Sequence, residues 1–195
     1  MSSLPYVIVL HGFTGSGPEH WQSWAAGELA RAGGAVEYPQ FTDPDRPDRA
    51  TWLAELTEHL AAAPTEVERV VLAHSLGAHL WLHHAAGEFD PALRVDRVLL
   101  VAPPGPTWED PDVVGWQPLP LDPTGLRRAA GSTRLVTGDD DPYCAVAEAT
   151  AMAEALFIDH DVVPGGAHLN IVAGYGPWPA LLDWVRHGRT PLTGR

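Results

Sequence analysis

VVLAHSLGAHLWLHHA, residues 70–85, changes character at its centre. Four apolar residues without polar alternation run up to His74 and Ser75, as in a strand buried on both faces. From Leu76 onward the apolar residues recur at helical spacing, with Gly77 near the start. A buried strand feeding a helix through Ser-x-Gly leaves one serine at a sharp turn. That serine is either a helix N-cap, a position serine favours, or a hydroxyl presented at the turn for chemistry. The small residues such a turn demands two positions before and after the serine are Ala73 and Gly77; alanine stands where G-x-S-x-G has its first glycine.

Similar apolar runs recur on both sides, at intervals too long for hairpins: YVIVL (6–10), RVLLVA (97–102), TRLVTG (133–138), DHDVVPG (159–165) and a shorter AVEYP (35–39). Helical segments separate them. One follows Pro18, placed as a first-turn proline, and ends at Gly33 and Gly34. A second covers residues 49–63 and stops at Pro64; others cover 76–89, 143–156 and 177–188, the fourth beginning near Pro142. This alternation predicts one α/β domain over residues 1–195, with helices on both faces of a mostly parallel sheet of about six strands. Residues 103–125 break the rhythm. Proline at their density forbids a regular helix or central strand, so they predict a loop, or a flap bordering a pocket with Trp108 and Trp116 on it. The segment is too short for a separate lid domain.

Composition narrows the partners. A formal net charge of −13 argues against nucleic acid and anionic membrane surfaces. No apolar window reaches the length of a membrane span, and the run Leu4–Leu10 is too brief, and lacks a basic flank, for a signal peptide. The single cysteine, Cys144, excludes an intramolecular disulfide and fits a reducing, cytoplasmic setting. A small-molecule or peptide partner remains; a larger protein partner is possible but not indicated.

A reactive serine needs a base, and the base needs an anion to hold its tautomer; in this fold class they follow in the order Ser, Asp or Glu, His. TRLVTG ends in Asp139, Asp140 and Asp141, and the last strand ends in PGGAHLN, which carries His168. Both fall at the carboxyl edge of a parallel sheet, where such sheets place ligands. Asp141 is the preferred acid and Asp140 the alternative; a coming helix N-terminus also accounts for acids here. The first strand runs into HGFTGSG, whose Phe13 amide, with that of Leu76, supplies two candidate oxyanion donors. The loop lacks the lysine and spacing of a phosphate loop.

With these residues in view, the chain resembles the small single-domain α/β-hydrolases of the YdeN and retinoblastoma-binding serine hydrolase family. The likeness covers nearly the whole chain and rests on HGFTGSGPEHW, AHSLGAHL, GDDDPYC and GGAHLN. It implies a compact three-layer α/β/α fold without an inserted lid domain. It also implies Ser75 as nucleophile, His168 as base and, from the second aspartate of Asp-Asp-Pro, Asp141 as acid. Members are serine hydrolases, some active on simple esters, and one branch is associated with other proteins. The extra Asp139 and the proline-rich flap depart from the pattern.

Other residues have weaker claims. His11 is expected on the oxyanion loop; His20 and Trp21 brace that loop, border the pocket or simply pack. His79 and His83 have the i,i+4 spacing of a zinc helix, but Leu80 stands where the glutamate of HExxH would be and no third ligand is evident, so no metal is expected. His74 shapes the turn, Cys144 packs, and Trp52, Trp81, Trp178 and Trp184 read as core. Two functions follow. One is a serine hydrolase of carboxylic esters or related acyl compounds, needing no cofactor. The other is a hydrolase-like scaffold that works mainly by binding another protein.

Overall fold

The computed structural model describes residues 4–195 and contains one six-stranded, fully parallel sheet in the order β2-β1-β3-β4-β5-β6. The strands are β1 (Tyr6–Leu10), β2 (Val36–Glu37), β3 (Arg69–His74), β4 (Val95–Val101), β5 (Ala130–Gly138) and β6 (Asp159–Val163). The helices are α1 (Trp21–Arg31), α2 (Arg49–Ala62), α3 (Leu76–Ala86), α4 (Pro123–Ala129), α5 (Val146–Leu156) and α6 (Pro179–His187). No helix among the described residues is long and apolar enough to cross a membrane.

Successive strand residues point to opposite faces, and the packing divides accordingly. Ile8, Leu10, Val71, Ala73, Val98, Leu100 and Leu135 meet α2, α3, α4 and α5. Val7, Val9, Val70, Leu72, Leu99, Val101 and Val136 meet α1 and α6 on the other side. The three-layer α/β/α fold follows from this division. All six residues of β3 are buried, whereas β6, an edge strand, keeps Asp159 and Val162 exposed. Trp52, Trp81, Trp178 and Trp184 all lie in the core. The chain leaves β1 toward β2 and returns to β3 on β1's other side, so the sheet's switch point opens between β1 and β3 at their carboxyl ends.

Three boundaries differ from the sequence expectation, each for a local reason. α1 begins after Pro18: the His20 N–H donates to the Gly17 carbonyl at 3.1 Å, so Pro18 occupies a turn, and His20 caps the helix. α5 begins at Val146 instead of near Pro142, because an Asp141 carboxylate oxygen accepts the Tyr143 N–H at 2.9 Å and holds residues 141–143 in a turn. In the flap, Pro111 opens a 3-10 turn (Pro111–Trp116) and Pro123 opens α4, so the irregular stretch ends before 125. Proline tolerates a helix's first turn, where its missing N–H has no intrahelical partner anyway.

Candidate active site

Ser75 sits where β3 becomes α3, at φ 55° and ψ −122°, and its side chain makes no capping hydrogen bond. A non-glycine residue with positive φ stores about 1–3 kcal/mol of strain. The conformation is held because the Ser75 N–H donates to the Val101 carbonyl at 2.9 Å. Gly77 is required by close approach: a Cβ there would lie 2.5 Å from the Leu10 carbonyl oxygen and 2.6 Å from that of His11. The absent side chain lets α3 start directly against the end of β1. Gly12 meets the same condition from the other side, since its Cβ would lie 2.8 Å from the Cβ of Ser75. Two sequence-distant loops thus close on one hydroxyl.

The structure brings His168 and Asp141 to that hydroxyl. His168 Nε2 lies 2.9 Å from Ser75 Oγ, and His168 Nδ1 lies 2.9 and 3.1 Å from the two Asp141 oxygens. The carboxylate only accepts, so Nδ1 carries the proton and Nε2 is free to accept from the serine. Asp141 is buried, and its neighbours do other work. Asp139 accepts the Gly165 N–H and Asp140 accepts the Ala167 N–H, each at 2.7 Å, which staples the loop bearing His168 to the end of β5. Asp140 therefore holds backbone and does not touch the imidazole. His168 lies between Ala167 (φ 43°) and Leu169 (φ 48°), two further left-handed residues.

Behind the site, neutral imidazoles set the geometry. His11 is not on the cleft wall: it is buried, its Nε2 accepts the Phe41 N–H at 2.9 Å, and its Nδ1–H donates to the Gly12 carbonyl at 2.8 Å. A trans peptide points its N–H opposite its C=O, so this grip turns the Phe13 amide away from His11. Among the described residues, neither the Phe13 nor the Leu76 N–H has a backbone partner. His74 donates from Nε2 to the His168 carbonyl at 3.0 Å, a brace that sequence reasoning did not specify. Burial, then His20 and His168, hold the His74 pKa well below its ordinary value. Burial, then His168, brings His20 to about 4. Both are uncharged near neutrality and add no cation beside His168. Gln22, which sequence reasoning missed because nothing local marks it, ties the loop to β1: it donates to the Leu10 carbonyl at 2.8 Å and accepts from Ser16 at 2.7 Å.

The cleft over Ser75 encloses about 540 Å3, with His20, Trp108 and Tyr143 among its walls. Trp21 is not among them; it is fully buried against Trp178 and His74. Trp116 lies outside this cleft too, edge-on to Trp52 and donating to the Pro47 carbonyl at 3.0 Å, but it lines a second cavity that the flap borders. His79 and His83 each give Nε2 to a flap carbonyl, Pro104 and Trp116 respectively, both at 2.8 Å. Their imidazoles hold the flap down. Burial and the neighbouring Glu148 and Asp141 push the Cys144 thiol up to about 12, the opposite of a reactive thiolate.

The serine hydrolase family model matches residues 7–187. The structure is similar to the YdeN gene product of B. subtilis, with a TM-score of 0.75 and 19% identity over 92% of this chain and 95% of that one. A YdeN-like protein from Pectobacterium atrosepticum gives 0.74 and 21%, over 92% and 88%. Est1E from Butyrivibrio proteoclasticus, seen with ferulic acid bound, gives 0.66 and 15%, over 95% and 88%. At these identities the likeness establishes the α/β-hydrolase fold. No curated protein matches the chain significantly in sequence.

Proposed function

The chain belongs to the serine hydrolase family, and from that premise we propose that it hydrolyses carboxylic esters through an acyl-enzyme on Ser75. The observation that carries the reading is Ser75 Oγ at 2.9 Å from an imidazole whose other nitrogen rests on a buried carboxylate. Ser75 Oγ attacks the ester carbonyl as its proton passes to His168 Nε2. Asp141 holds the imidazole orientation and stabilises the imidazolium. The developing oxyanion accepts from the Phe13 and Leu76 amides. Donors set in advance of the reaction contribute several kcal/mol, about 3–4 for one such donor. His168 then protonates the departing alcohol. A water molecule, deprotonated by the same nitrogen, releases the acid and restores Ser75.

The test is covalent and kinetic together. A fluorophosphonate is expected to label the wild type stoichiometrically, and p-nitrophenyl acetate to be turned over. Ser75→Ala is expected to abolish labelling and lower kcat on the order of a millionfold. A folded wild type that neither labels nor turns over any ester of a graded chain-length panel overturns the reading and leaves the binding scaffold in its place.

A further inference from the structure

A second cavity of about 570 Å3 lies beneath the flap, and it shares Trp108 and Asp110 with the cleft over Ser75. We propose that this cavity is the acyl chamber of the same site and that it takes an uncharged, largely apolar acyl group seated past the Trp108 indole. The inference rests on the Ser75 reading above and names its substrate class.

Position supports it first. His79, on the chamber wall, is one turn of α3 beyond Ser75, a rise of about 6 Å. The nucleophile and one chamber wall thus share the first turns of α3, and the two spaces meet at Trp108 and Asp110. The volume falls within the roughly 300–1,000 Å3 of small-molecule sites.

Chemistry supports it next. The chamber is lined by Trp108, Trp116, Pro111, Val113 and Val114. Its formal charges are the carboxylates of Glu109 and Asp110, and neither the chamber nor the cleft has an arginine or lysine among its lining residues. The chain contains no lysine at all. An acyl group ending in a carboxylate or phosphate would lose hydration there and meet only like charge. An apolar chain gains about 0.8 kcal/mol for each methylene it buries.

The flap also separates what is fixed from what can move. It is tied to the body by the His79 and His83 bonds to its carbonyls and by the Trp116 indole to Pro47, and braced internally by Gln117 Nε2 to the carbonyls of Gly105 (3.3 Å) and Trp108 (3.2 Å). The chamber is therefore preformed. The half-buried Trp108 indole packs against the edge of the core and meets two rings edge-on, His79 at 6.5 Å and Tyr143 at 6.2 Å between ring centroids, with no side-chain hydrogen bond of its own. In the proposed arrangement that one side chain, shared by both spaces, turns aside to join them while the tied flap stays in place.

A crystal structure of the wild-type protein treated with a fluorophosphonate bearing an octyl group on phosphorus tests this directly. The Ser75 Oγ–P bond forms, P–F breaks, fluoride leaves and the serine proton passes to His168. The expected result is an octyl chain in the flap chamber with the Trp108 indole turned aside. A chain lying instead across Ile171 and Val172 at the cleft mouth overturns the chamber while leaving the Ser75 reading intact. No adduct at all overturns the Ser75 reading and the chamber with it. Kinetically, Val114→Trp, at an exposed position on the chamber wall, should lower the octanoate-to-acetate ratio of kcat/KM by about tenfold or more. A ratio equal to that of the wild type refutes the assignment.

Discussion

Replacing Gly77 by alanine should damage stability and catalysis together, because the same 2.5 Å gap serves both. The added Cβ would meet the Leu10 carbonyl oxygen at 2.5 Å, the His11 carbonyl oxygen at 2.6 Å and the Leu10 carbonyl carbon at 2.9 Å. An ordinary carbon–oxygen approach is about 3.3 Å, so α3 and the end of β1 must separate by roughly 0.8 Å. All three obstructing atoms are backbone, and no side-chain rotation relieves them. Overpacking of this kind costs about 1–3 kcal/mol, or about 2–4 °C of Tm for each kcal/mol in a chain of this size. The same displacement moves the Phe13 amide away from Ser75. A misplacement near 1 Å at a reacting centre can lower the rate about a hundredfold. Thermal unfolding followed by far-UV circular dichroism, together with initial rates on p-nitrophenyl acetate, measures both effects. Gly115→Ala is the control, since its Cβ meets nothing within 4 Å. A Gly77→Ala protein that melts earlier but keeps the wild-type rate would refute the coupling, and one unchanged in both would refute the packing argument.

Three other outcomes follow from the geometry. Asp141→Asn should lower kcat by about 10,000-fold, since the amide favours the wrong imidazole tautomer; Asp140→Asn, which can still accept the Ala167 N–H, should stay within about tenfold of wild type, corresponding to ~1.4 kcal/mol. Comparable losses in the two would mean that the acid is misassigned. His74→Phe keeps an aromatic side chain but leaves the His168 carbonyl unpartnered, at a cost of about 1–3 kcal/mol in urea unfolding, with a lower kcat from a looser His168; an unchanged midpoint and rate would dismiss the brace. Acid should destabilise the fold: His20 and His79, both brought to about 4 chiefly by burial, stay neutral when folded but protonate near 6.5 when unfolded. The unfolded state then binds more protons, so stability present above pH 6.5 is lost as pH falls toward 4, by about 2 kcal/mol for each of the two at pH 5. Denaturant midpoints that do not change between pH 7 and 5 would contradict this.

Much of the molecule is written in local pattern. Short unbroken apolar runs bounded by turn residues and rich in valine read as strands buried on both faces, and β3 is buried along its whole length. Ser-x-Gly after such a run predicts a sharp turn because α3 must start against β1. The ends of parallel strands share one edge, so Ser75, the three aspartates and His168 were bound to gather there. Local pattern could not say which aspartate reaches the imidazole. That depends on β5–β6 register, which pairs Gly138 with Val163 and sets Asp139 and Asp140 opposite backbone amides 26 and 27 residues away. Nor could it place His11 and Trp21 behind the cleft or His74 on the carbonyl of His168; a pocket-bordering flap with Trp108 and Trp116 was legible, but not that its cavity stands apart from the cleft over Ser75. Hydrophobic periodicity is a property of neighbours along the chain, and sequence alone determined the elements and their order. Polar contacts between side chains and loops far apart in sequence exist only after the sheet has set their distance, and that the tertiary structure decided.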